Sequence, residues 1–286
     1  MPVFERVGNI HIHTNLSDGT DHAQLAQTAR EAGLDFLILT DHNAYAGDRQ
    51  GWHEGVLILV GEEVHNPAQP QANHFLALNI AEDMAPYGED PQALVTAVRE
   101  RGGLGFIAHP YEHSGPFAQE PEINWLNWEV KGYHGLEVWN YMSEFKSYLR
   151  DLPTSVLLAY WPQLAIRGPY PETLARWDTL LQQGPVYALG GTDAHANTYR
   201  LGPLARQVFS YAHLFRTVNT HLLLAEPWRN DAVHDAQLVY EALERGRAFI
   251  AYDGLAPARG FSFWAESRQG QHAMGEAFIA QGAVRL

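Results

Sequence analysis

Histidines and carboxylates stand beside almost every apolar run of this 286-residue chain. The first run leads into His11 and His13, and Asp18 lies in the turn that follows. The same residue types recur beside later runs, at Asp41, His42, Glu62, Glu63, His74, His109, Glu137, Asp193 and His195. Neutral imidazole and carboxylate are ligands that zinc, manganese and non-haem iron accept. The pattern therefore predicts a site that holds more than one metal ion.

The spacing within two of these motifs carries geometric information. Side chains two apart in a strand lie on one face, so His11 and His13 are expected to point together, as are Asp193 and His195. Taken singly, an H-x-H pair in a strand is more often two solvent-facing polar residues, and Asp or His often serves as a turn residue. When such motifs recur at many strand ends, metal binding becomes the favoured interpretation, because each polar side chain left unpaired at a buried strand end would cost roughly 1–3 kcal/mol.

The elements that must position these residues follow from periodicity. Apolar or β-branched runs predict strands at 9–14, 35–40, 55–60, 74–80, 104–109, 135–140, 186–195, 207–212, 248–252 and 260–266. Helical spacing predicts helices at 21–33, 90–103, 171–184 and 235–247. Alternating strands and helices predict an α/β fold, and two ligand pairs far apart in sequence meet only if the sheet curls, as in a barrel.

One stretch, 141–172, breaks the alternation and is rich in aromatic residues and proline. It is expected to be a helical insertion, either a lid over the site or a dimer contact. No repeat or linker marks a domain boundary, so 1–286 is expected to form a single domain.

Composition limits the partners. The net charge of −14, from 19 basic and 33 acidic residues, argues against a nucleic-acid polymer or an anionic membrane.

Because there is no cysteine, disulfides, thiolate catalysis and iron–sulfur clusters are excluded. The chain has neither a basic leader nor an 18-residue apolar run, so a cytoplasmic location is expected. A small anion would need concentrated local positive charge, which metal ions supply.

The motif order resembles a known family. In sequence, H-x-H, S-D-G, T-D-H, G-x-E, a strand-opening His, H-P, G-x-E-V and G-T-D-A-H are similar to the motifs of the polymerase and histidinol phosphatase (PHP) family of metal-dependent hydrolases, over about residues 8–196. The resemblance implies a distorted (β/α)7 barrel of the TIM type (the PHP fold), with its metal site at the C-terminal ends of the strands. Residues 205–286 would form an extension packed on that barrel.

The resemblance also implies a ligand set for two to three zinc, manganese or iron ions. One ion would be held by His11, His13, Glu63 and Asp193, a second by Glu63, His74 and His109, and a third by Asp18, His42 and His195. Three such ions would leave the site positive after three ligand carboxylates and a bridging hydroxide. A phosphate ester suits that charge, with the hydroxide attacking phosphorus and Asp193, His195 and His42 handling protons.

Six further residues are candidates for substrate binding, because they follow strand ends near the motifs or are loop cations: Tyr111, His113, Glu137, Asn140, Arg167 and Arg200. Asp41 is expected to make a structural hydrogen bond, and Glu62 is the less favoured neighbour of Glu63. The remaining histidines, among them His65 and His221, are expected on helix surfaces or in loops.

The expected function is hydrolysis of a small phosphomonoester or phosphodiester, nucleotide-like substrates included. The alternative on the same metals is a carboxylic-ester or carbamate hydrolase, since 141–172 could shape an apolar pocket. A metal-stabilised binding or scaffold module is a third interpretation. The expected partner is a small anionic molecule, and an oligomer is compatible with the sequence.

Overall fold

The computed structural model describes residues 4–196, 198–201 and 204–286, with the backbone alone at 199–201, 204 and 205. Its strands are β1 (Phe4–Ile12), β2 (Phe36–Leu39), β3 (Gly51–His53), β4 (Val56–Val60), β5 (Glu62–Val64), β6 (Phe75–Leu78), β7 (Leu104–Ile107), β8 (Gly135–Asn140), β9 (Tyr187–Gly191), β10 (Thr198–Leu201), β11 (Leu204–Gln207), β12 (Val218–Leu224), β13 (Ala248–Tyr252), β14 (Trp264–Ser267) and β15 (Gly270–Ala273). Its helices are α1 (His22–Ala32), α2 (Pro91–Glu100), α3 (Tyr141–Ser147), α4 (Leu152–Tyr160), α5 (Pro171–Leu181), α6 (Tyr211–Leu214) and α7 (Ala232–Glu244), with 3₁₀ turns at Gly47–Arg49, Ala85–Tyr87 and Pro162–Leu164.

Two mixed sheets make up the body of the described chain. The first has the order β13-β12-β1-β2-β4-β3, in which β1, β2 and β4 are parallel. The second has the order β5-β6-β7-β8-β9, in which β7, β8 and β9 are parallel. Two-stranded sheets of β10 with β11 and of β14 with β15 complete the set. The carboxyl ends of parallel strands from both sheets carry the predicted ligands.

The expected closed TIM-type barrel is wrong for the described residues. Such a barrel needs parallel strands in one continuous ladder, whereas β6 runs antiparallel to both β5 and β7, and β12 runs antiparallel to β1. Between the two main sheets, the β-type pairing in the described residues consists of isolated bridges, from Ile12 to Ala194 and from His42 to Glu63. The strand ends therefore converge because two sheets face each other, without a closed ladder.

The inner faces of the two sheets form one core. Ile10, Ile38 and Leu59 from the first sheet pack in the same buried cluster as Phe106 and Leu189 from the second. Burying one such side chain contributes about 1.5–3 kcal/mol. The outer faces are covered as well, so β2 and β4 are buried on both faces, as their apolar runs predict. This two-sided burial holds the strand ends in fixed positions.

The predicted helices are present; α1 and α2 have the expected capping aspartates, whereas α7 spans Ala232–Glu244 instead of the predicted 235–247. Asp21 accepts a hydrogen bond from the Ala23 amide at the start of α1, and Gly33 ends that helix with a φ of 83°. Asp90 accepts from the amides of Gln92 and Ala93 at the start of α2. Such caps each stabilise a helix by about 1 kcal/mol. Strands β8 and β13 match the predicted 135–140 and 248–252.

One predicted strand is largely absent, and one observed strand is not among those predicted. Of the predicted strand 207–212, only Gln207 lies in a strand, and Tyr211 begins α6. Strand β12, which pairs with β1 and β13, is not among the predicted strands. Segment 141–172 contains α3, α4 and a 3₁₀ turn, and its role as lid or dimer contact stays a prediction, as does the division that assigns 205–286 to an extension. Among the described residues, no helix has the length and apolar character to span a membrane.

Candidate metal centre

Three of the predicted ligands have an unusual backbone. The φ angles of His11, His109 and Asp193 are 68°, 23° and 55°, in the region that non-glycine residues rarely adopt and that costs about 1–3 kcal/mol each. The spacing argument from a regular strand therefore does not explain how the pairs meet. Strand β1 ends at Ile12 and β9 at Gly191, so left-handed turns at His11 and Asp193 aim the side chains.

The close approach of β9 to β1 depends on glycine. A Cβ at Gly191 would lie 2.5 Å from the Ile10 carbonyl oxygen and 2.6 Å from Glu137 Oε1. Because Gly191 has no Cβ, the amides of Thr192 and Ala194 can donate hydrogen bonds to the carbonyl oxygens of Ile10 and His11. These hydrogen bonds bring Asp193 against the end of β1.

The first group of side chains is built around a buried carboxylate. The Nε2 atom of His11 lies 3.1 Å from Glu63 Oε2 and 3.2 Å from Asp193 Oδ1. The Nε2 atom of His13 lies 3.4 Å and 3.1 Å from the same two oxygens. Four possible ligand atoms, from His11, His13, Glu63 and Asp193, thus converge within 4.8 Å of one another.

Glu63 also belongs to a second group. Its other oxygen, Oε1, lies 2.7 Å from His74 Nδ1 and 3.2 Å from His109 Nε2. A third group lies on the more exposed side, where Asp18 is 3.5 Å from His195, 3.7 Å from His13 and 4.0 Å from His42. The structure therefore brings together all nine predicted ligand residues, in three adjoining groups.

Several inward-facing atoms of these groups have no hydrogen-bond partner. They are buried and include His11 Nε2, His42 Nδ1 and Glu63 Oε2. His11 Nε2 and Glu63 Oε2 are close together, but they do not face each other in hydrogen-bond geometry. Leaving such atoms unsatisfied costs about 1–3 kcal/mol each. A divalent cation between the ligand atoms would satisfy them, so the residues present fit a metal centre.

The outward-facing ring nitrogens of three of these histidines have partners. His11 Nδ1 lies 3.0 Å from Glu137 Oε1, His74 Nε2 lies 3.0 Å from the Pro70 carbonyl, and His195 Nδ1 lies 2.7 Å from the Asp193 carbonyl. Donation of N–H to these acceptors leaves the lone pair of the other nitrogen facing the site. Metal-binding histidines are oriented in this way.

Neighbouring charged residues in the site shift one another's pKa values. Burial opposes ionisation of Glu63, but His11 and His42 hold its pKa well below the usual range. Burial likewise opposes protonation of His42 and His109, yet neighbouring carboxylates raise the pKa of each to about 9. Burial together with His195 holds the pKa of His13 well below its usual value. A metal ion must therefore displace protons from part of the site.

A buried carboxylate, Glu137, and a buried amide, Asn140, support the ligands from behind. Glu137 accepts from the His109 amide at 2.9 Å and from Asn140 Nδ2 at 3.0 Å, in addition to its contact with His11. Asn140 Nδ2 also lies 3.3 Å from Asp193 Oδ2. Both residues thus contact predicted ligands, where they fix orientation.

Asp41 and Glu62 behave as the sequence indicates. Asp41 accepts from the Thr14 amide and hydroxyl and from Ser17 Oγ, which fixes the turn that carries Asp18. Glu62 points away from the ligands and accepts from the Met84 amide. Burial raises the pKa of Glu62 to about 8.

The other substrate-binding candidates do not reach the ligand groups. Tyr111 accepts a hydrogen bond from Arg176, and His113 lies 3.6 Å from Glu172. The exposed Arg167 donates from Nη2 to the Leu164 carbonyl. The side chain of Arg200 lies outside the described residues.

A cleft of about 460 Å³ opens over the ligands, and sequence reasoning missed part of its lining. The missed residues include His65, Glu112, Ser143 and Lys146. The ring of His65 stacks on that of His74 with 4.4 Å between centroids. Its position two residues after Glu63 was the available signal. Glu112 and Lys146 carry no motif, and only the fold brings them to the cleft.

Comparisons with known proteins return low-identity relatives. No family model matches. MJ1587 of Methanocaldococcus jannaschii, an uncharacterized protein, is 22% identical over 54% of this chain and 97% of its own length. A Bacteroides vulgatus two-domain protein containing a predicted PHP-like metal-dependent phosphoesterase is 19% identical, covering 89% of this chain and 69% of that one, with a TM-score of 0.49. The lesion-specific endonuclease PfuEndoQ of Pyrococcus furiosus is 13% identical, covering 94% and 64%, with a TM-score of 0.49.

The solved structures similar to this chain thus include a PHP-like protein, the family that the motif order resembles. The predicted class, a metal-dependent hydrolase, agrees with the description of the Bacteroides protein. The exclusion of a nucleic-acid polymer is wrong, because endonuclease Q, a structure similar to this chain at a TM-score of 0.41, has been solved with a 27-mer duplex substrate. Net charge summed over a whole chain says little about a partner when metal ions supply the local charge.

Proposed function

We propose that this chain is a metal-dependent phosphoesterase. The observation that carries the proposal is the convergence of His, Asp and Glu side chains in three groups around Glu63, with buried inward-facing atoms that lack hydrogen-bond partners. A protein gains nothing from such atoms unless a cation binds them. The proposed ions are two to three of zinc, manganese or iron, the metals that this ligand chemistry accepts.

The residues divide into those that hold the ions and those that move protons. His11, His13, Glu63 and Asp193 would hold one ion, Glu63 with His74 and His109 a second, and Asp18, His42 and His195 a third. When bound, the ions supply Lewis acidity and positive charge for the phosphoryl oxygens. Asp193, His195 and His42 border the open side of the site, where attacking water and leaving group must pass, and are the proposed proton carriers.

The proposed substrate is a small phosphomonoester or phosphodiester, with nucleotide-like molecules included. The cleft volume of about 460 Å³ falls in the range of sites for small molecules. The ligand carboxylates Asp18, Glu63 and Asp193 neutralise only part of the charge of two or three divalent ions. An anionic ester is therefore bound more strongly than a neutral one.

A carboxylic-ester or carbamate hydrolase is the second candidate. Met142 and Ile123 give the cleft an apolar portion that could take an acyl group. The cytoplasmic location expected from the sequence remains part of the proposal and stays a prediction.

The test compares two chromogenic esters. Apoprotein loaded with manganese or zinc is assayed with p-nitrophenyl phosphate and p-nitrophenyl acetate, with inorganic phosphate as a competitor. The proposal predicts metal-dependent turnover of the phosphate ester and competition by phosphate. Turnover of the acetate alone, without competition by phosphate, would establish the second candidate instead.

A further inference from the structure

One permanent cation belongs to the described lining of the cleft over the ligand groups. Among the described residues that line it, Lys146 of α3 is the only lysine or arginine. Its side chain is 12% exposed, so most of it is buried beside the ligands. Of the two arginines singled out from the sequence, Arg167 is exposed and does not line the cleft, and the side chain of Arg200 lies outside the described residues.

The amine of Lys146 is held in a fixed position. Its Nζ lies 2.5 Å from Glu112 Oε2 and donates to the Pro121 carbonyl at 2.9 Å. Glu112 is itself fixed, because it accepts from the Ile123 amide at 2.8 Å and from the Ser143 hydroxyl. An ammonium group has three donors. Within the described part of the chain, two donors of Lys146 have these acceptors, which leaves the third for a ligand.

Glu112 places this amine next to the metal ligands. A carboxylate oxygen of Glu112 lies within 4.8 Å of ligand atoms on both His109 and Asp193. Asp18 lies elsewhere in the cleft, beside His42 and His195. The ammonium group therefore stands one side chain away from the ligand groups, on the side of His109.

A purely structural explanation is that the pair fastens residues 112–123 to α3. Buried ion pairs give little net stability, because desolvation offsets their attraction. Lysine at this position also faces a cleft proposed to receive phosphate, where a charge-assisted hydrogen bond is stronger than a neutral one. Phosphate binding explains why the amine lies in the cleft. An ion pair that only holds residues 112–123 to α3 would not need that position.

On the basis of the proposed function, we propose that the Lys146 amine binds a phosphoryl oxygen of the substrate, and that Glu112 is the positioning residue that holds the amine in place. The ligand class is a phosphate ester or free inorganic phosphate. Lys146 is then the substrate-binding residue that discriminates a phosphoryl group from a neutral carboxylic ester.

The experiment exploits the fact that the chain has two lysines, Lys131 and Lys146. Lys131 is exposed and lies outside the cleft, so Lys131→Met makes the same charge change as a matched control. Metal-loaded variants are titrated with inorganic phosphate in a calorimeter and assayed with p-nitrophenyl phosphate. Lys146→Met is expected to weaken phosphate affinity at least tenfold and to raise KM in parallel, with metal content unchanged, and Lys131→Met to stay within twofold of wild type.

Loss of Lys146 leaves Glu112 buried without its partner, so the double variant Lys146→Met/Glu112→Gln is made as well. It removes both charges and should show the same loss of phosphate affinity. Lys146→Arg is expected to recover part of it. Wild-type phosphate affinity in a folded, fully metal-loaded Lys146→Met or double variant would overturn the inference alone. A wild-type chain that neither binds nor hydrolyses phosphate would overturn the proposed function, and this inference with it.

Discussion

Strand β1 contributes to two buried clusters of histidine and carboxylate, one at each end. Near its start, Glu5 lies 2.6 Å from His221 Nδ1, and Asp253 lies 3.1 Å from the other ring nitrogen. Near its end, His11 lies 3.1 Å from Glu63 and 3.2 Å from Asp193. By burial and distance alone the two clusters look alike.

They differ in whether their polar atoms have partners. Both ring nitrogens of His221 face acceptors, Glu5 also accepts from the Gly260 amide, and Asp253 accepts from Asn219 and from the Ala258 amide. In the other cluster, His11 Nε2 and Glu63 Oε2 lack hydrogen-bond partners, and the backbone of His11 has a positive φ. Buried ionisable residues therefore do not by themselves indicate function; unpaired inward-facing atoms together with a positive φ distinguish the cluster at the end of β1 from the one at its start.

The largest expected effect comes from removing a ligand at the strained end of β1. We expect His11→Ala or Asp193→Asn to lower kcat/KM with p-nitrophenyl phosphate about a thousandfold or more, because the transition-state charge loses its stabilising ion. Elemental analysis of the same samples should show fewer ions per chain. His221→Leu is the matched control and should stay within about twofold in activity. Comparable losses in both variants would remove the distinction between the two clusters.

The next effect concerns the carboxylate behind His11. Glu137→Gln keeps the size of the side chain but weakens acceptance from His11 Nδ1 and the His109 amide. Loss of such an orienting partner typically costs 10–100-fold in metal affinity or activity. Metal affinity measured by competition with a chromogenic chelator checks this. An unchanged affinity would mean that Glu137 is only structural.

A pH dependence of metal binding follows from the pKa directions. Neighbouring carboxylates raise the pKa of His42 and His109 to about 9, so both carry protons in the metal-free protein at neutral pH. Metal binding must release these protons, and affinity should rise with pH up to about 9, by about tenfold per unit for each proton released. Chelator competition between pH 6 and 9 measures it. Affinity independent of pH would contradict this charge distribution.

The smallest effect is expected from the cluster of His221, Glu5 and Asp253, whose polar atoms have partners. Burial opposes protonation of His221, but Asp253 and Glu5 raise its pKa above the ordinary 6.5, and His221 and Asn219 overcome the effect of burial and lower the pKa of Asp253 below 3.8. The contribution of His221 is fully present below pH 6.5 and is lost as pH rises through its raised pKa. That of Asp253 is present above pH 3.8 and is lost as pH falls through its lowered pKa.

We therefore expect His221→Leu to be less stable than wild type by about 1–3 kcal/mol. The difference should be widest between about pH 4 and 6.5 and narrower at pH 9. Urea unfolding of both proteins across this range checks it. A difference that grows with pH would contradict the assigned charges.

The contrast between the two clusters on β1 also explains which features could be predicted from the sequence. Ligands at strand ends were recognisable because their order repeats a known pattern, and β2 and β4 because their runs are wholly apolar. Strand β12 was not recognisable, since Asn219, Thr220 and His221 interrupt its apolar character, and only tertiary contacts make these polar residues compatible with burial. His221 was therefore expected at the surface.

Barrel closure and the cleft lining were beyond sequence reasoning for related reasons. Strand direction depends on where each connection crosses the sheet, and a short apolar run such as β6 reads the same in either direction. Lys146 lies on α3, where a single lysine is typical of a solvent-facing position, and only the packing of residues 112–123 brings Glu112 to it. Local patterns thus found the metal ligands but not the residues that surround the substrate.

The central claim is that the cleft at the end of β1 holds divalent ions that drive hydrolysis of a phosphate ester. Its most direct test is a metal titration of chelator-treated protein, with release of p-nitrophenol from p-nitrophenyl phosphate followed at each addition. The account predicts no turnover without metal, followed by a rise that saturates at two to three equivalents of manganese, zinc or iron(II). Turnover that is independent of added metal, or no phosphate hydrolysis at any loading, would contradict it.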